Sequence, residues 1–129
     1  MMYAQIFKNL PGHPDWEGSF YERLTEYGDW DFVEFWKLHL DLVEAACFEA
    51  QSEVVSRELA LAVATLHSKV LNLISAHYNL RDGFLINNLS PDELVAFTER
   101  FQHAILAVFS GEVIAESSYD LINPFIVAR

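Results

Sequence analysis

Apolar residues recur along the chain at three- and four-residue intervals, the period of helices that bury one face. At about 100° per residue, Phe32, Trp36, Leu40, Val43 and Cys47 share one side of a helix predicted over 30–50. Asp31, Glu34, Asp41 and Glu44 share the other, so the outer face of this helix reads as acidic. A longer stripe of Val55, Leu59, Ala62, Val63, Leu66, Val70, Leu73 and Ile74 predicts a helix over 52–77 with Ser52 as its cap, and Arg57, Glu58, Ser68, Lys69 and Asn72 lie opposite. Over 91–110 apolar groups occupy most of the circumference, the pattern of the central helix of a bundle.

Punctuation supports these bounds. Pro11-Gly12-His13-Pro14 is an irregular lead-in, and Ser19-Phe20-Tyr21-Glu22 has the form of a capping box that opens a short helix over 20–27, closed by Gly28. Asp29 or Asp31 caps the next helix. Ser90-Pro91-Asp92-Glu93 joins an N-cap serine, a proline at the first helical position and a glutamate at the box position, and Gly111 ends the helix that follows. Residues 112–129 are apolar but carry Asn123-Pro124, which argues against a regular helix. The reading is one all-α domain over 1–129, an antiparallel bundle of about four to five helices with the 91–110 helix at its centre.

Composition limits what such a domain does. Nineteen acids against eight bases give a net charge of −11, and residues 1–60 alone hold 12 acids and 4 bases. A field of that sign repels phosphate backbones and anionic lipid and attracts a basic partner, so direct nucleic-acid or membrane binding is not expected. No window reaches the roughly 18 uninterrupted apolar residues of a membrane span, and Met1–Leu10 lacks the pattern of a signal peptide, so a cytoplasmic protein is expected. The single cysteine, Cys47, excludes an internal disulfide and reads as a small buried hydrophobe beside Ala45, Ala46 and Phe48.

Chemistry is sparse. The five histidines give no His-x-x-x-His and no Glu-x-x-His, so neither a zinc site nor a di-iron carboxylate bundle is expected, and no cofactor is implied. Glu99 and His103 are four apart and read as a surface pair, and His77 as a residue that donates to the last carbonyls of its helix or fills core space. Ser19, Ser52 and Ser90 are explained as caps rather than nucleophiles. The Arg-to-His spacing of compact helical ribonucleases is missing: Arg57 to His67 is too long and Arg100 to His103 too short. Binding is therefore favoured over catalysis, with no catalytic residue assigned.

The first third interleaves Trp16, Phe20, Tyr21, Tyr27, Trp30, Phe32, Phe35 and Trp36 with acids. Core packing is the simpler account of Phe32 and Trp36. Leu38 and Phe48, however, project into the arc of Glu34, Asp41 and Glu44, an apolar spot within an acidic face. Glu34, Leu38, Asp41, Glu44 and Phe48 are therefore the candidate binding patch, with Glu22, Glu26, Asp29 and Asp31 as supporting charges.

The order of several short segments resembles the small all-α immunity proteins of bacterial polymorphic-toxin and contact-dependent growth inhibition systems. The segments are Pro11-Gly12 with Trp16-Glu17-Gly18-Ser19-Phe20, Trp30-Asp31 with Glu34-Phe35-Trp36-Lys37-Leu38, Ser75-Ala76-His77-Tyr78 before Asp82-Gly83-Phe84, and Glu99-Arg100-Phe101 before Gly111. The resemblance implies a cytosolic antitoxin that binds the C-terminal effector domain of its cognate toxin, often a nuclease, and catalyses nothing itself. A basic nuclease groove suits the acidity found from composition. A structural or adaptor subunit that self-associates through its exposed apolar spots is the alternative.

Overall fold

The structure is a computed structural model that describes residues 2–126, so Met1 and the last three residues of the 112–129 tail lie outside it. It is all-helical among the described residues: α1 (Ala4–Phe7), α2 (Phe20–Tyr27), α3 (Phe32–Glu49), α4 (Arg57–Tyr78) and α5 (Pro91–Ser110), followed by a 3₁₀ turn at Glu116–Ser118. The expected bundle is present. Bounds of α2 and α5 match those read from the caps, because Ser19 and Ser90 each accept the amide three residues on and Gly28 and Gly111 close the ends with left-handed backbone.

Three differences have local causes. Ser56 rather than Ser52 caps α4, its oxygen accepting from Leu59 N, while Ser52 accepts from Val54 N inside the preceding turn. Glu22 does not complete a box on Ser19; its carboxylate accepts from Gly18 N at 2.9 Å, since Ser19 N already donates to the Trp16 carbonyl. The short α1 was not foreseen. Its N-terminal Tyr3 offers no side-chain cap, and the acceptor comes from another helix: Asp41 on α3 takes the Gln5 amide at 2.7 Å.

The long helices run up, down and up, so α3 and α5 lie parallel in register. The same offset of 61 positions links His39 to Arg100 and Ala50 to Gly111. Their upper ends enclose an aromatic core of Phe20, Trp30, Phe35, Trp36 and Phe97, in which Phe20 meets Trp30 edge-on at 4.8 Å and Phe35 meets Phe97 at 5.1 Å. Trp36 is buried as expected, whereas Phe32 is largely exposed and touches only the flank of Phe97. The centre of the bundle is α3, packed by α1, α2 and α5, rather than α5, whose Val95, Leu106 and Phe109 face solvent. Cys47 is likewise exposed, not buried, because the α3–α5 contact turns Leu42, Ala45 and Ala46 inward instead.

α4 is long and apolar enough to cross a membrane by length and composition. Its stripe of Leu59, Ala62, Val63, Leu66, Val70 and Ile74 is buried in the bundle, and Glu58, Ser68 and Asn72 face outward, the layout of a core helix. The 79–90 loop is held down by side chains: His77 Nδ1 accepts from Ile86 N, the Asn87 amide donates to Tyr27 O, and Asn88 makes a two-way pair with the Trp30 backbone at 2.9 Å each. His77 thus accepts a hydrogen bond from a loop rather than donating to helix carbonyls.

Gly28 sits where this loop crosses α2, at φ 65° and with Leu85 O only 2.2 Å from where a Cβ would stand. Gly28→Ala should therefore lower thermal stability well beyond the usual cost of about 1 kcal/mol for a left-handed alanine. Phe101→Ala, in the core, should cost roughly 3–5 kcal/mol in urea unfolding; a negligible change at either site would place it outside the packed interior.

Candidate functional site

The nine residues predicted to bind a partner do not form one surface. Leu38 is fully buried, because α1 lies over the face of α3 that periodicity left open. Asp41 caps α1, and Glu34 accepts from Lys8 at 2.6 Å and from Lys37 at 3.2 Å, so both acids hold the N-terminal segment to the bundle. Burial raises the Asp41 carboxyl above its ordinary value, with the nearby Glu44 adding to this, while the Gln5 and Ile6 amides and Lys8 oppose it. Glu22 is buried at the start of α2. Asp31 caps α3 by accepting from Glu34 N and pairs with Arg23, which also reaches Asp29 at 4.0 Å. Glu26 and Phe48 are exposed, the latter at 57%, and Glu44 is half-buried beside it on the outer strip of α3. Of the candidate patch, Phe48 and Glu44 stay together at the surface.

The structure instead brings together polar groups that sequence reading never combined. Arg100, on the inner face of α5, is 2% exposed. Its Nη2 bonds Glu116 in the 3₁₀ turn and lies 3.2 Å from His39 Nε2 on α3, and its guanidinium stacks 3.7 Å from the centre of the Tyr119 ring. Glu116 also accepts from Asn123 N at 2.7 Å. The Asn123 amide donates to Trp36 O, using the second lone pair of a mid-helix carbonyl, and reaches His39 Nδ1 at 2.9 Å. His103 Nδ1 meets the Tyr119 hydroxyl at 2.7 Å. The tail over 112–126 is thereby strapped across the groove between α3 and α5.

Both nitrogens of His39 face donors, and the ring has no acceptor that would welcome a second proton. Burial, reinforced by the Arg100 charge, lowers its pKa to about 3. Burial also lowers the Arg100 pKa, against the pull of Glu116, yet a guanidinium stays charged at any working pH. A cavity of about 20 Å³ opens between Arg100, His103, Glu116 and Tyr119, room for one water molecule and nothing larger. Arg100 Nε and Nη1, which have no protein partner, are the donors such a water would satisfy.

The arrangement has an ion pair, a neutral histidine and a capped asparagine, but no space for a substrate beside them. It acts as a structural lock. Among the described residues no three His, Cys, Asp or Glu side chains are grouped to hold a metal. The signal that could have revealed the lock is a polar residue on each of two facing apolar stripes: His39 among Phe35, Leu42 and Ala46, and Arg100 among Phe97, Ala104 and Ala107. Small alanines beside a long cation leave it room. No family model, curated protein or solved structure matches the chain.

Two outcomes test the lock. The unfolded His39 binds a proton below pH 6.5 and the folded one only near 3, so stability should be full above that window. It should fall by up to about 1.4 kcal/mol per pH unit as acid enters the window, a slope that His39→Gln flattens in urea titrations. Glu116→Gln leaves the buried guanidinium without its counter-charge and should cost about 3 kcal/mol. It should also expose 112–126 to limited proteolysis before the helices.

Proposed function

We propose that this chain is an immunity protein that neutralises a bacterial toxin by binding the toxin's C-terminal effector domain, a basic and probing-accessible nuclease-type surface, within the cytoplasm of the producing cell. The observation that carries the reading is the surface charge. Four of the eight bases, Lys8, Arg23, Lys37 and Arg100, are engaged by acids of the same chain. Exposed acids such as Asp15, Glu17, Glu26, Glu53 and Glu58 make no such ion pair among the described residues. A net charge of −11 is thus displayed outward, which suits a partner built to hold phosphates. The order of short segments that resembles immunity proteins supports the same reading. So does the purely structural use of the buried Arg100 group, which leaves binding as the work of the surface.

The contact region is narrower than the periodicity of α3 suggests. Phe48 is the apolar anchor, with Glu44 beside it and Glu26 and Asp29 as outlying charges that steer approach. Asp41 and Glu34 belong to the fold, so reversing their charge would report on α1 docking rather than on binding. The exposed Leu106 and Phe109 favour a second reading, an adaptor that packs on its own copies.

Binding of the effector domain encoded beside this chain tests the proposal. Glu26→Lys/Glu44→Lys should slow association several-fold and weaken its dependence on salt, because the Debye length shrinks from about 10 Å at 0.1 M. Phe48→Ser should raise the dissociation rate at least about tenfold if it contributes the roughly 2 kcal/mol of a hot spot. If both variants, folded by circular dichroism, bind and protect as the parent does, the contact lies elsewhere; if the parent neither binds nor protects, the immunity reading is wrong.

A further inference from the structure

We infer that the trough between α4 and α5 is a docking site for a basic amphipathic helix of a partner protein. The walls are apolar and open to solvent. Two adjoining hollows of about 530 and 360 Å³ share Gln102 and His103, and together they extend along α4 from Ala64 to Tyr78. That span is about 20 Å at 1.5 Å per residue, the length of three to four turns of a helix.

The outer row of α5 supplies the pattern that a helix would read. Val95, Leu106 and Phe109 are 62%, 63% and 48% exposed, and with Gln102 they recur at three-, four- and seven-residue steps on one side of the helix. Leu106 and Phe109 would seat apolar side chains at matching steps on the incoming helix. An open trough leaves one face of a small molecule in water, whereas a helix fills it and turns its polar face outward.

Charge selects among helices. Exposed Asp92 and Glu99 lie along the same row, and Glu112 follows it just past the end of α5. No lysine or arginine lines either hollow, whose only cationic candidates are the two imidazoles His67 and His103. A helix with lysines or arginines flanking its apolar stripe complements this rim. A second copy of a chain with net charge −11 would bring like charges together, so it is the poorer occupant.

The inference rests on the binding reading above and narrows the chemistry of the partner, but its test needs no toxin. The probe is a synthetic 18-residue amphipathic helix with leucines at three- and four-residue steps and lysines elsewhere, titrated into the ¹⁵N-labelled full chain. Saturable one-to-one binding is expected, with amide shifts confined to α4 and α5. A peptide with glutamate in place of lysine should not bind. Leu106→Ser/Phe109→Ser, and separately Val95→Ser, all at exposed positions, should weaken the lysine peptide at least tenfold and about threefold respectively, and Glu99→Lys should weaken it further.

Shifts scattered over the whole acidic surface, or equal affinity for the Leu106→Ser/Phe109→Ser protein, would reduce the interaction to unspecific charge attraction and overturn the site. So would failure of the lysine peptide to bind at all. Sedimentation of the parent as a dimer that Leu106→Ser/Phe109→Ser makes monomeric would assign the trough to a second copy instead. Loss of toxin protection with intact peptide binding would count against the immunity reading and leave the trough standing.

Discussion

A charged guanidinium buried between two helices is the constraint around which the rest of this structure is arranged. Arg100 is carried inward by the register of α5, and burial without a counter-charge would cost several kcal/mol. The tail supplies Glu116, and Asn123 then fixes both Glu116 and His39, so a segment with no regular helix acquires a defined path. Hydrophobic burial alone would not specify that path, since Val113, Ile114, Ile122 and Phe125 remain largely exposed on it. The polar contacts, not the apolar ones, decide where the tail lies.

The acids divide between two kinds of work. Asp41, Glu34, Glu22, Asp31 and Glu116 each satisfy a backbone amide or a cation of the same chain. Such a carboxylate stabilises the fold where a helix end would otherwise present orphan donors. The excess that remains is spread over loops and outer helix faces, and it sets the long-range field without holding any element in place. Acidity of the whole chain is therefore a poor guide to which particular carboxylate meets a partner.

Sequence reading succeeded where the causes are local. Ser19, Gly28, Ser90, Pro91 and Gly111 govern backbone within a few residues of themselves, so α2 and α5 were legible to the residue. It failed where the cause is distant. The exposed face of α3 was read from periodicity, yet α1 covers Leu38 because Asp41 caps a helix 36 residues away in sequence. The lock of His39, Arg100, Glu116 and Asn123 draws on two helices and the tail, and no spacing along one helix reports it. Trp30 followed the same rule: its burial was foreseen only as one of several aromatics, while the Asn88 pair that fixes its backbone joins positions 58 apart.

The position of that lock in the chain governs the order in which the molecule is assembled. Synthesis runs from the N-terminus, so α3 and α5 are complete while Glu116 and Asn123 are still to come. Until they arrive, Arg100 has only water for a counter-partner and His39 is open to protonation. A growing chain therefore holds a bundle whose central seam is hydrated, and the last residues to emerge dry it.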